Sequence, residues 1–125
     1  MEKQQRILLV DDNKVTVEGI TSHLSRNYRV HTALTGLDAL KVFEEYRKNL
    51  DLVITDMVMP DVSGGALISI IKAKSPVTPV IAMTGWGQHP SALAAEAKAD
   101  VVLIKPFELE ELDQSISKLL PSMPS

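Results

Sequence analysis

The chain has 125 residues, a formal net charge of −3 at neutral pH and no cysteine. That length suits one domain with a core that needs no cross-links. The lack of thiols excludes a disulfide framework, a thiolate metal centre and a cysteine nucleophile, and the weak acidic balance offers no electrostatic footprint for nucleic acid or an anionic membrane. No apolar run approaches the roughly 18 residues of a membrane span, and Ile7–Val10 is too short for the apolar region of a signal peptide, so the chain reads as a soluble, cytoplasmic domain.

Short apolar runs of strand length recur in chain order, starting near residues 6, 29, 52, 79 and 101. The first, Ile7-Leu8-Leu9-Val10, barely alternates, which suggests a strand covered on both faces, as in a parallel sheet between helices. Arg29-Val30-His31-Thr32-Ala33 does alternate and fits an edge strand. Leu52-Val53-Ile54, Val80-Ile81-Ala82-Met83 and Val101-Val102-Leu103-Ile104 complete the set, the last two again without alternation. Helical faces fall between them: Val17, Ile20 and Leu24; Leu37, Leu40 and Phe43; Leu67, Ile70 and Ile71; and, after an acidic start, Leu109, Leu112, Ile116 and Leu119. The segment Ser91–Ala99 is mostly alanine with Leu93 as its one large apolar residue, so it forms a loosely anchored helix where partners would sense a change of state. Asp61 with Gly64-Gly65, Ser75-Pro76 and the stretch from Gly85 to Pro90 mark turns, Gly64-Gly65 serving a loop and a helix start. The expected fold is α/β: a doubly wound five-stranded parallel sheet of (βα)5 type over residues 1–120, with Pro121–Ser125 as a tail or the start of a linker.

In an open parallel sheet, ligands bind beyond the carboxyl ends of the strands. The first run ends in Asp11-Asp12, the third in Asp56, the fourth in Thr84 and the fifth in Lys105-Pro106. With strand order 2-1-3-4-5, the first and third strands are neighbours and three carboxylates crowd one edge. Such a cluster calls for a compensating cation, and Mg²⁺ takes a few carboxylates plus waters and phosphate oxygens. Asp56 fits a nucleophile toward phosphorus, Asp11 and Asp12 fit the metal, and Lys105 and Thr84 fit the phosphoryl oxygens.

Leu8-Leu9-Val10-Asp11-Asp12-Asn13, Asp56-Met57-Val58-Met59-Pro60, Thr84-Gly85 and Lys105-Pro106-Phe107 stand in order at strand ends. In these motifs the chain, from about Arg6 to Leu120, resembles the flavodoxin-like, CheY-like response regulator receiver domains of two-component signalling. The resemblance implies that Asp56 accepts a phosphoryl group from a histidine kinase or histidine phosphotransfer protein. It further implies that Asp12, Asp56 and the backbone carbonyl of Val58 bind Mg²⁺ with Asp11 acting mostly through water, that the Lys105–Pro106 bond is cis, and that a fused or separate output module reads the result. The product would be a slowly autodephosphorylating switch, not a turnover enzyme, with no direct binding of nucleic acid or membrane.

Two other classes use similar parts. A Mg²⁺-dependent aspartyl phosphohydrolase of the haloacid dehalogenase kind needs an acid/base Asp two residues after its nucleophile, where this chain has Val58. A non-phosphorylated receiver-like interaction module usually lacks an acid or the lysine, and both are here. A flavin-binding domain needs a phosphate-holding loop where Asp11-Asp12 would repel phosphate. His23, His31 and His89 are scattered without ligand spacing and carry no expected role. The chain departs from the family pattern at Val102, where an aromatic ring usually couples to the threonine, and is apolar at both Val58 and Trp86, which bears on hydrolysis.

Overall fold

The central strands form where a short β-favouring run can be covered on both sides, and the helices whose starts are described begin where a polar side chain can cap them. In the computed structural model, which describes residues 4–85, 92, 94, 95 and 97–120, the elements are β1 (Arg6–Val10), α1 (Lys14–Leu24), β2 (Arg29–Ala33), α2 (Gly36–Tyr46), β3 (Leu50–Asp56), α3 (Gly64–Lys74), β4 (Val80–Thr84), β5 (Val101–Ile104) and α4 (Leu109–Leu119). All strands pair in parallel, in the order β2-β1-β3-β4-β5. The first strand therefore lies beside the third, as the expected doubly wound order requires. Trp86, His89, Pro121–Ser125 and several residues of the alanine-rich segment Ser91–Ala99, Leu93 among them, lie outside the described residues; Ala92, Ala94 and Ala95 are helical.

The unbroken apolar runs follow from two cores, one on each face of the sheet. Leu8 and Val10 of β1, Val53 of β3 and Ala82 of β4 meet Phe43 of α2 and Leu67 and Ile71 of α3. The alternate residues Ile7, Leu9, Leu52, Ile54, Ile81 and Met83 meet Val17 and Ile20 of α1 and Leu112 and Ile116 of α4. Each large side chain buried in this way contributes about 1.5–3 kcal/mol relative to exposure.

Several expected faces are rotated or trimmed. On α2 the inward positions are Gly36, Ala39 and Phe43, while Leu37 is exposed. The cause is close contact at Gly36: a Cβ there would lie 2.5 Å from Cβ of Val62, so this side of the helix is the one pressed inward. On α3, Ile68 is fully buried and Ile70 only partly, and on α4 Leu109 is exposed. Strand β5 is as apolar as β4 yet lies at the sheet edge, with Ile104 exposed, so its lack of alternation does not reflect cover on both faces.

Local caps set the helix starts. Asn13, Thr35 and Ser63 each accept a hydrogen bond from a backbone N–H three residues on, at 3.1 Å. Glu108 and Glu111 form a capping box on α4. At the amino ends of β4 and β5, Asp100 accepts from the Val80 N–H at 2.8 Å and from Lys72 Nζ at 2.7 Å, and Lys72 also donates to the Thr78 carbonyl. His23 of α1 pairs with Asp113 of α4 at 2.9 Å.

Candidate functional site

Register brings the polar strand ends level. Val10 is opposite Thr55, Asp56 opposite Met83, and Thr84 opposite Ile104. Asp11 leaves β1, Asp56 ends β3, Thr84 ends β4 and Lys105 leaves β5, all at one edge of the sheet. Hydrogen bonds fix these exits: the Asp11 N–H donates to the Ala33 carbonyl at 3.2 Å and the Lys105 N–H to the Thr84 carbonyl at 2.6 Å.

The three acids converge. A carboxylate oxygen from each of Asp11, Asp12 and Asp56 lies within 4.8 Å of the others. Asp11 is 1% exposed and Asp56 8%, whereas Asp12 is open to solvent. Lys105 Nζ donates to Asp11 Oδ2 at 2.7 Å and sits 3.5 Å from Asp56 Oδ1. The other Asp11 oxygen accepts from the Asn13 N–H at 2.9 Å. The Met57 N–H is shared between Asp56 Oδ1 and the Met83 carbonyl, each at 3.0 Å. The Thr84 hydroxyl is buried with no hydrogen-bond partner among the described residues, a costly state for a polar group unless something else engages it. The Val58 side chain is exposed, two residues past Asp56. The Lys105–Pro106 bond is cis.

Burial pushes the Asp56 carboxyl above its usual range, and Asp11 adds to the rise, against the pull of Lys105 and the Met57 N–H. Burial alone would lower Lys105; the hydrogen bond to Asp11 and the charges of Asp56 and Asp11 outweigh it, so the ammonium is held more firmly than usual. Three carboxylates facing one ammonium leave an excess of negative charge among hard oxygen donors, with Asp12 at the open side. That donor set fits a small divalent cation that keeps part of its water shell.

The sequence matches the family model of the response regulator receiver domain over residues 7–117. The chain belongs to the response regulator receiver domain family. A receiver domain protein from Clostridium thermocellum has the same fold, with a TM-score of 0.85 and 33% identity over 91% of this chain and 92% of that one. Sensor kinase CckA of Brucella abortus is 33% identical over 91% of the chain. Transcriptional regulatory protein GlrR of Escherichia coli is 35% identical over 94%. The chain spans only 12% and 27% of the lengths of those two relatives. Receivers are the switch domains of two-component response regulators, generally not turnover enzymes, and the family binds Mg²⁺ at an acidic cluster like the one here. They pair with histidine kinases and output domains.

Reasoning from sequence brought Asp11, Asp12, Asp56, Thr84 and Lys105 to one edge, and they are together there. It overlooked Asp61, read only as a turn residue, whose carboxylate accepts from the N–H groups of both Gly36 and Leu37 at 3.0 Å. It also overlooked how closely α3 approaches the site: a Cβ on Gly64 would lie 2.2 Å from the Asp56 carbonyl oxygen. Local sequence signals neither: the Asp61 contact depends on packing against a different βα unit, and the Gly64 contact on how the loop after β3 folds back onto the end of its own strand.

Proposed function

We propose that this receiver is a Mg²⁺-dependent phosphorylation switch with Asp56 as the acceptor. A carboxylate oxygen of Asp56 attacks phosphorus, the P–N bond of a phosphohistidine on a kinase or phosphotransfer protein breaks, and the imidazole leaves with a proton from its surroundings. Mg²⁺, when bound, neutralises charge on the phosphoryl oxygens. Asp12, Asp56 and the Val58 carbonyl would hold it, with Asp11 acting through water, while the Asp11 carboxylate orients Lys105. Lys105 and Thr84 then receive the phosphoryl oxygens, which gives the buried Thr84 hydroxyl its missing partner. The reading rests above all on Asp56 lying buried between the Lys105 ammonium and two further acids at the strand ends. The switch works in the cytoplasm and passes its state to a fused or separate output module.

Among the described residues, exposed apolar groups flank this edge. Val15 and Leu109 border a cleft of about 590 Å³ that Lys105, Pro106 and Phe107 also line, which suits the docking of a phosphodonor. The phosphohydrolase alternative lacks a proton donor at Val58, and the non-phosphorylated alternative leaves the acid–lysine arrangement without a use.

The test is intact-mass spectrometry after incubation with acetyl phosphate. A base-labile phosphoryl adduct should form with Mg²⁺, fail to form in EDTA and be lost in Asp56→Asn. Full labelling of that variant would place the acceptor elsewhere.

A further inference from the structure

The loop between β3 and α3 carries Val58, and its far side is fastened to a different βα unit. Both carboxylate oxygens of Asp61 are engaged, Oδ1 by the Gly36 N–H and Oδ2 by the Leu37 N–H, each at 3.0 Å. These backbone hydrogen bonds also hold the Asp61 carboxyl below its ordinary range, so it stays charged at the amino end of α2. Helix α2 already has a local cap, since Thr35 accepts from the Asp38 N–H. Asp61, some 24–25 residues along the chain, supplies a second and remote one. Next to it, Val62 presses on Gly36 so closely that a Cβ would meet it at 2.5 Å. The loop's other end is fixed at the site itself, where the Gly64 N–H donates to the Met57 carbonyl at 3.0 Å and the Met57 N–H donates to Asp56. Met59 is buried in the core, and Val58 sits between these anchors with its side chain exposed.

We propose that Asp61 is a positioning residue for the metal site: clamped on α2, it holds the Met57–Ser63 loop so that the Val58 carbonyl stays within reach of the cation, and it couples cation binding to the start of α2. This rests on Val58 being a metal ligand, as proposed above. A local cap needs only one partner close in sequence. A carboxylate that reaches across two loops, beside a glycine that lets them touch, makes the two loops move as one. Coupling runs both ways, so a cation that orders the loop must also order the amides that Asp61 accepts from.

The test is Mg²⁺ titration calorimetry on wild type, Asp61→Ala and Thr35→Ala, with amide hydrogen exchange at Gly36 and Leu37. Thr35→Ala removes the local cap but leaves the link between loops intact. Asp61→Ala should weaken Mg²⁺ about tenfold, in the range found when groups behind a metal ligand are removed, while Thr35→Ala leaves affinity within about twofold. In wild type, Mg²⁺ should slow exchange at Gly36 and Leu37; in Asp61→Ala it should not. Equal Mg²⁺ affinity in Asp61→Ala and wild type would overturn the inference, as would equal losses in both variants. Should Asp61→Ala fail to fold, the wild-type exchange arm decides alone, and no Mg²⁺-dependent slowing there would overturn it. A wild type that binds no Mg²⁺ overturns the metal reading itself, and the inference with it.

Discussion

Substituting Asp56 by Asn should make the metal-free protein more stable at neutral pH, although it removes the proposed acceptor. Asp56 is 8% exposed and within 4.8 Å of Asp11. At an effective dielectric constant of about 20, that carboxylate pair repels by roughly 3 kcal/mol. Lys105, 3.5 Å from Asp56, returns an attraction of about 5 kcal/mol, and Asp12, also within 4.8 Å but open to solvent, adds a screened repulsion. Attraction and summed repulsion roughly offset, which leaves the cost of burying the charge, the largest cause of the raised Asp56 pKa. An amide of the same shape avoids that cost and can still accept from the Met57 N–H. A gain of about 1–2 kcal/mol is expected, within the range that single stabilising substitutions commonly give.

The sign with pH follows from the direction of that shift. A carboxyl whose folded pKa lies above its unfolded value favours folding below the unfolded value, and that favour is lost as pH rises through the folded value. The advantage of Asp56→Asn should therefore be absent near pH 3.5 (below the ordinary 3.8 for Asp) and grow to a plateau above the raised pKa. Urea denaturation of both proteins in EDTA across this range measures it as a difference, so other titrating groups cancel. Mg²⁺ should close the gap, since a ligand at ten times its Kd stabilises wild type by about 1.4 kcal/mol and the variant by less. A variant less stable than wild type at pH 7 in EDTA, or a gap that does not change with pH, would refute the reasoning.

Gly64→Ala should cost about 3 kcal/mol in thermal or urea unfolding, because the Cβ would meet the backbone of Asp56 and Met57, which cannot swing aside as a side chain could; a cost below about 0.5 kcal/mol would show that α3 shifts freely. Val58 has no polar side-chain atom and Trp86 only an N–H donor, so neither can accept a hydrogen bond from an attacking water, and phosphorylated Asp56 should persist for many minutes to hours. Introducing Val58→Asn with Trp86→Glu should shorten that lifetime about tenfold, or roughly 1.4 kcal/mol of barrier, as followed by loss of the adduct from the isolated protein; a wild-type half-life of seconds would show that another group positions the water.

Features that depend on one segment's own composition were legible. The runs that became β1 and β4 are apolar enough to declare cover on both faces, and the polar residues after Val10, Thr55, Met83 and Ile104 stood out because apolar runs end there. Features that depend on contact between segments were not. The inward turn of α2 that buries Ala39 and exposes Leu37 is set by Val62 against Gly36, and no periodicity within α2 reports it. The edge position of β5 cannot be told from a central one by hydrophobicity, since Val101–Ile104 is as apolar as Val80–Met83. His23 looked idle because its partner, Asp113, is 90 residues away. His31 did too, yet it stacks on Tyr46 with ring centroids 4.1 Å apart and contacts Arg6 at 3.0 Å; burial, then the nearby Arg6 and Arg29, lower its pKa.

The Asp100 knot gives the sheet a fulcrum. Its carboxylate holds the Val80 N–H and Lys72, and its own N–H donates to the Val80 carbonyl at 2.8 Å, so β4 and β5 are pinned together where they begin. At their other ends stand Thr84 and Lys105, the groups that meet a phosphoryl in the proposed switch. A strand fastened at its root and pulled at its tip swings as a lever, so a displacement of Lys105 would be largest around Ile104 and fade toward Val101. The exposed Ile104 would then travel furthest of the β5 side chains. Asp100→Ala would keep the main-chain bond to Val80 but remove both side-chain ties, loosening the pivot and spreading the same small pull further along the strand.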